Sequence, residues 1–155
     1  MAFVLTAQAV MRAIQAREDD PFCQWIDAED VLPLIANVTI AQVLHAINSS
    51  SALDKHERRT YNALAEVLIQ DLAQGLGEIA LNAVFDLNTA VILESIMGIE
   101  AGSDRIGEFD LVAAAICIQH NHDLVVARDA QSWIELEAQI KGATGRLSLK
   151  TFDAR

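Results

Sequence analysis

Several side chains in this sequence are of the types that act on phosphates and divalent cations, and they recur at one kind of position, just after an apolar run. Thr6 follows Phe3-Val4-Leu5. Gln42 lies in the first turns of the helix expected after the run from Val31 to Ala36. Asp110 opens the nearly all-apolar stretch Leu111 to Gln119, and Arg128 and Asp129 close the run Leu124-Val125-Val126. Glu108 and Asp86 occupy similar positions. Two carboxylates in one cleft can bind a hard cation such as Mg²⁺, with water completing the octahedron. Asp110 and Asp129 are 19 residues apart, separated by one helix and one strand. Each also has a plainer use, Asp110 as a helix N-cap and Asp129 as a turn residue. Thr6 and Gln42 offer neutral oxygens that can ligate Mg²⁺ or position water without adding charge. Arg128 is a planar donor suited to RNA phosphate, or to a salt bridge with Asp129 or Asp110. His120 and His122 form a His-x-His pair and His45 follows Gln42. No third metal ligand is evident beside them, so they read as loop and helix-end histidines.

Short strands must position these groups. Phe3-Val4-Leu5 is a continuous apolar run, as a buried strand requires. From Ala7 to about Arg17 the spacing of Val10, Met11 and Ile14 turns helical. Asp20 and Pro21 then make a good N-cap and first residue for a short helix through Asp27. Val31 to Ala36 is the second strand expected, with Pro33 inside it. Thr39 is expected to cap a helix ending at Ser49-Ser50-Ser51. A long helix follows from about Asp54 to Gln74, with Tyr61, Leu64, Ala65, Leu68 and Leu72 as its apolar stripe and Gly75 and Gly77 stopping it. Asn82 to Phe85 is expected as the third strand. The helix after it is capped by Asn88, with Val91, Ile92, Ser95 and Ile96 on one face. A polar loop from Gly98 to Gly107 precedes the buried helix capped by Asp110. Leu124 to Val126 is the fourth strand, a short helix surrounds Trp133, and Leu147-Ser148-Leu149 is a last strand. Alternation of short strands with long helices implies crossover connections. The expected fold is therefore α/β, a three-layer α/β/α arrangement around a mostly parallel, short-stranded sheet, in one domain over 1–155. In such sheets ligands bind beyond the carboxyl ends of the strands, where Thr6, Gln42, Asp110 and Asp129 all fall.

Composition narrows the function. The chain has 155 residues and a formal net charge of −11. Phosphate backbones repel such a surface, so broad non-specific nucleic-acid binding is disfavoured, while a basic partner protein suits it. The first hundred residues hold most of the excess, with 14 acidic side chains against 5 basic. Cys23 and Cys117 sit among apolar neighbours outside any metal-type spacing and read as small hydrophobes in a reducing compartment. The N-terminal residues lack the pattern of a signal peptide, and no run reaches the roughly 18 apolar residues of a membrane span. The expectation is a soluble cytoplasmic protein with no membrane contact. Gly75-Leu76-Gly77 follows a helix and not a strand, so it is not a dinucleotide fingerprint and lends nothing to the reading of an unrelated small α/β binding protein.

From Ile106 to Trp133 the run IGEFDLVAAAICIQHNHDLVVARDAQSW resembles the C-terminal core of PIN domains, the fold of VapC-type toxins. The matching features are Asp110 opening an Ala-rich helix, the short loop at His122-Asp123, the apolar strand, then Arg128, Asp129 and Trp133. Phe3-Val4-Leu5, Thr39 to Ile47 and Asn82 to Asp86 match in order and spacing. The resemblance implies a type II toxin–antitoxin protein: a Mg²⁺- or Mn²⁺-dependent endoribonuclease, pairing as a homodimer and bound by a small antitoxin whose tail crosses the acidic cleft. It assigns metal to Asp110 and Asp129 and catalysis to those two with Gln42 and Thr6. It also makes Arg128 a candidate RNA contact. This chain departs from the family at two of four acids, for Thr6 stands where an Asp is expected and Gln42 where a Glu is. Ala127 replaces a frequent Ser or Thr. Losing two negative charges should weaken metal binding by several kcal/mol at an effective dielectric near 20. The expectation is weak ribonuclease activity, with a catalytically silent PIN-like binding or dimerisation module as the alternative.

Overall fold

The computed structural model describes residues 2–16, 19–28, 33–74, 80–82, 86–100, 106–140 and 146–153. In chain order these form β1 (Phe3–Leu5), α1 (Ala7–Gln15), α2 (Pro21–Asp27), β2 (Leu34–Ala36), α3 (Asn37–Ser49) and α4 (Lys55–Gln74). The second half adds β3 (Ala80–Asn82), α5 (Leu87–Glu100), α6 (Glu108–His120), β4 (Asp123–Ala127), α7 (Gln131–Ile140) and β5 (Ser148–Phe152). The strands form one sheet in the order β3-β2-β1-β4-β5. Every pairing is parallel, with Val4 opposite both Leu34 and Leu124.

Alternation along the strands divides the apolar side chains between two cores. Val4, Leu124 and Val126 point to one face, where α5, α6 and α7 supply Ile96, Ala113, Ala114 and Leu136. Phe3, Leu5, Val125 and Ala127 point to the other, where α1 to α4 supply Val10, Phe22, Val43 and Ala65. This is the three-layer α/β/α arrangement expected. β1 and β4 are central and buried on both faces, which is why they read as unbroken apolar runs. The edge strand β5 instead carries Ser148, Lys150 and Thr151, polar residues that blunt an open edge. In α6, five consecutive small or branched residues from Ala113 to Cys117 are buried, three of them alanines. Their small side chains let the helix lie close to the sheet.

Several boundaries differ from the sequence reading, and each has a local cause. α3 begins at Asn37 straight out of β2, without a side-chain cap. Thr39 therefore lies inside the helix, fully buried, and is not its cap. Asp86 and not Asn88 caps α5: its Oδ1 accepts the Thr89 N–H at 3.0 Å, and both its oxygens accept from Gln119 Nε2 at 2.9 Å. The Asp86 carboxyl is held below the usual range, first by the Thr89 N–H and then by Gln119. α6 starts at Glu108 after Gly107, which puts Asp110 in the third helical position and not at the cap. α5 continues to Glu100, into the expected loop. Leu64 and Val91, assigned to apolar stripes, are 42% and 61% exposed. The second strand covers only Leu34–Ala36, with Pro33 just outside it, and the third is Ala80–Asn82. Val31, Ala83 to Phe85, Arg17, Gly75 and Gly77 lie outside the described residues. β5 extends three residues past the expected Leu149, to Phe152.

Candidate functional site

In a parallel sheet each helix begins near the carboxyl end of the strand before it and returns toward the opposite edge. Thr6 directly follows β1, Gln42 lies in the second turn of α3 after β2, and Asp129 is in the turn after β4. α6 runs back into β4, so its first turn, with Asp110, lies over the same carboxyl edge. The topology thus gathers the expected site residues at one end of the sheet. α3 belongs to one helical layer and α6 to the other, and they touch there.

The decisive contact is between those two helices. Gln42 Nε2 donates to Asp110 Oδ1 at 3.2 Å. Burial pushes the Asp110 carboxyl above its usual range, and the Gln42 hydrogen bond opposes that only in part. The other end of the amide, Gln42 Oε1, is buried without a hydrogen-bond partner. The amide is therefore turned with its N–H toward the acid, the orientation a carboxylate demands when no cation lies between. Thr6 is committed elsewhere. Its hydroxyl donates to the Val125 carbonyl at 2.7 Å and accepts the Ala9 N–H at 3.4 Å as the N-cap of α1. The residue is 3% exposed. Asp129 and Glu108 are exposed. Among the described residues no three His, Cys, Asp or Glu side chains are close enough to share a metal ion. The donor set does not fit the Mg²⁺ or Mn²⁺ that the resemblance implies: an amide N–H faces the carboxylate where a cation would lie, and the Thr6 hydroxyl is used in the core.

Arg128 pairs with neither Asp129 nor Asp110. Its Nη1 lies 3.2 Å from Asp153 Oδ1, just past β5. Beside Gln42 an open groove of about 410 Å³ is lined by His45, Ala46, Glu108 and the exposed Phe109. His120 and His122 stack with ring centroids 5.9 Å apart, and His122 Nδ1 accepts the Ala2 N–H at 3.3 Å. Burial, then the neighbouring His120, hold His122 below its usual 6.5, against a smaller opposing pull from Asp123. A base with a depressed folded value takes up more protons when unfolded, so its stabilising contribution is complete above about pH 6.5 and lost as pH falls below it. Urea midpoints between pH 8 and 5 should therefore fall less steeply for His122→Gln than for the natural protein. Equal slopes would show that His122 stays uncoupled from folding. The thiol of buried Cys117 is pushed up by its apolar surroundings, as expected of an inert core residue.

No protein-family model and no curated protein matches the sequence. Solved structures do. VapBC2 from Rickettsia felis, bound to a DNA fragment from its promoter, matches with a TM-score of 0.66 at 15% identity, over 99% of this chain and 100% of that one. The fold is PIN-like. FitAcB from Neisseria gonorrhoeae matches at 0.63 and 18% identity, over 98% and 97% of the two chains. A toxin–antitoxin complex from Klebsiella pneumoniae matches at 0.56 and 12% identity, over 99% of each. At such identities the likeness is one of fold, and this PIN-like chain's site must be argued from its own residues. Two contacts in it were not legible in the sequence. Gln42 and Asp110 were expected in one site, but not as a hydrogen-bonded pair 68 positions apart, and the Arg128–Asp153 pair depends on the length of β5.

Proposed function

We propose that this chain is a PIN-like protein of the toxin–antitoxin kind that acts chiefly by binding, pairing with itself and with a small antitoxin. Its metal-dependent ribonuclease chemistry is attenuated at a site reduced to two of four acids. The observation that carries the reading is the Gln42–Asp110 hydrogen bond. It satisfies the buried acid with a neutral donor, so the cleft has little demand for a cation. The company of the fold supports the toxin–antitoxin assignment, since its structural neighbours are complexes of that kind. Binding is further supported by apolar side chains left in water: Leu87 and Val91, one turn apart on α5, are 79% and 61% exposed, and Leu64 and Val67 on α4 are 42% and 55% exposed. Such surfaces are commonly covered by partners. The net charge of −11 favours a basic partner over an anionic one.

The test has two arms. Unstructured RNA incubated with the protein and Mg²⁺ or Mn²⁺ should be cut at or near background, and Asp110→Asn should change little. The product of a short neighbouring reading frame, co-expressed with the chain, should purify with it as a complex. Brisk cation-dependent cleavage that disappears in Asp110→Asn would replace this reading with a working ribonuclease. Failure of the two products to associate would remove the toxin–antitoxin assignment.

A further inference from the structure

A second cavity, of about 240 Å³, lies at the β5 edge of the sheet, where α1, α2 and the ends of β4 and β5 meet. Its wall is aromatic. Phe22 and Phe152 meet edge-on with centroids 5.1 Å apart, and Trp25 lies 5.7 Å from Phe22. Its rim carries Arg128 and Asp153, joined at 3.2 Å and 68% and 69% exposed. Arg12 also lines the cavity, with its guanidinium over the Phe22 ring at 5.7 Å, and is committed to Asp20 by two hydrogen bonds of 2.7 and 2.8 Å. The two rim groups are different: an ion pair so exposed holds little net energy, and each member exchanges readily for a ligand group.

A guanidinium offers only donors and a carboxylate only acceptors. Side by side at an aromatic wall, they complement a flat molecule with an acceptor pair and a donor pair on adjoining edges. Guanine is such a molecule. Its O6 and N7 accept from an arginine, and its N1–H and exocyclic amine donate to a carboxylate. Adenine presents an amine where guanine presents O6, and so sets a donor against the arginine. Bases bind proteins by lying against aromatic side chains in this way. We propose that the cavity binds the guanine base of a nucleotide, with Arg128 and Asp153 reading its edges beside the partly exposed Trp25. The size of the cavity admits one base, and the chain's net charge repels long phosphate backbones. The occupant is therefore a mononucleotide or the end of a short single strand.

The two tryptophans make the test direct. Trp133 is 7% exposed, in the opposite core, so Trp25 is the fluorophore a ligand here would reach. Titration with GMP should quench fluorescence saturably, and AMP should bind about tenfold more weakly, the order of discrimination one bidentate base contact supplies. Arg128→Ala and Asp153→Ala should each weaken GMP by a similar factor with unchanged thermal midpoints, because both side chains are exposed. Calorimetry on the same variants gives a readout independent of Trp25. A trinucleotide RNA ending in guanosine that binds more tightly than GMP assigns the site to RNA ends, and weaker binding assigns it to free nucleotides. Absence of saturable GMP binding, equal binding of AMP, or unchanged GMP affinity in Asp153→Ala would each overturn the proposal.

Discussion

The variant Gln42→Glu should make the protein's stability depend on divalent cations more strongly than that of the natural chain. The substitution keeps the side chain's shape and replaces the donor facing Asp110 Oδ1 with a second acid. Two carboxylates about 4 Å apart repel by about 4 kcal/mol at an effective dielectric of 20, equivalent to about three pH units in their shared titration. Burial already raises Asp110. In EDTA the pair must therefore share a proton at neutral pH. An acid whose folded value is raised contributes its full stability below the ordinary carboxyl range and loses it as pH rises through the folded value. The variant's denaturation midpoint should accordingly drop from pH 5 to pH 8. Mn²⁺ replaces the shared proton, and at a hundred times its dissociation constant it should return about 2.7 kcal/mol. Paired urea titrations in EDTA and in Mn²⁺ measure this. If the natural protein gains as much from Mn²⁺ as the variant does, the acid–amide account of the cleft is wrong, and with it the proposed attenuation.

That contact also marks the limit of what the sequence could reveal. The layered fold was legible because β1 and β4 are continuous apolar runs and the helices between them have long apolar faces. The placement of Thr6, Gln42, Asp110 and Asp129 at one sheet edge followed from strand–helix alternation together with the parallel rule. What these residues do there was not legible. Thr6 reads as a neutral stand-in for an acid, yet it is a helix cap bonded to the carbonyl of Val125, 119 residues away. That partner depends on β1 and β4 being neighbours, which sequence order conceals. Arg128 has adjacent acids at Asp129 and Asp110 by simple proximity arguments, but the extension of β5 to Phe152 delivers Asp153 instead. The helix starts differ from the local signals as well. Thr39 and Asn88 are good caps by type, while the chain enters α3 directly from a strand and α5 through Asp86, where Gln119 of a different helix supplies the added hydrogen bonds. A tertiary partner adds to the cap only at Asp86, while α3 starts uncapped because the chain passes straight from β2 into the helix.

The largest cost should come from Thr6→Asp, which restores the family's acid to this position. The residue is 3% exposed, and its hydroxyl is the shorter of two donors to the Val125 carbonyl, at 2.7 Å, the other being its own backbone N–H at 3.4 Å. Aspartate is as good an N-cap as threonine, so the bond from the Ala9 N–H survives. The donor does not. A carboxylate oxygen would face the Val125 carbonyl inside the core, and an uncompensated buried charge costs about 3–5 kcal/mol. The favourable end of the α1 dipole returns up to about 2. A net loss of about 3 kcal/mol at pH 7 is a large share of the 5–15 kcal/mol that typically holds a domain together. Protonation restores an O–H donor for Val125, so the folded value of the new acid is raised. Its penalty should vanish below the ordinary carboxyl range and grow as pH rises, the reverse of the His122 slope. Thr6→Asn, which has donors and no charge, should remain close to the natural protein across the range. Urea denaturation of both variants from pH 4 to 8 separates charge from shape, and equal losses in the two would assign the cost to shape. Joining Thr6→Asp to Gln42→Glu adds the decisive comparison. Two new acids at one sheet edge can hold a cation more tightly than either does alone, so Mn²⁺ should stabilise the double variant by more than the sum of its effects on the single ones. Additive responses would mean that residues 6 and 42 do not face a common ion.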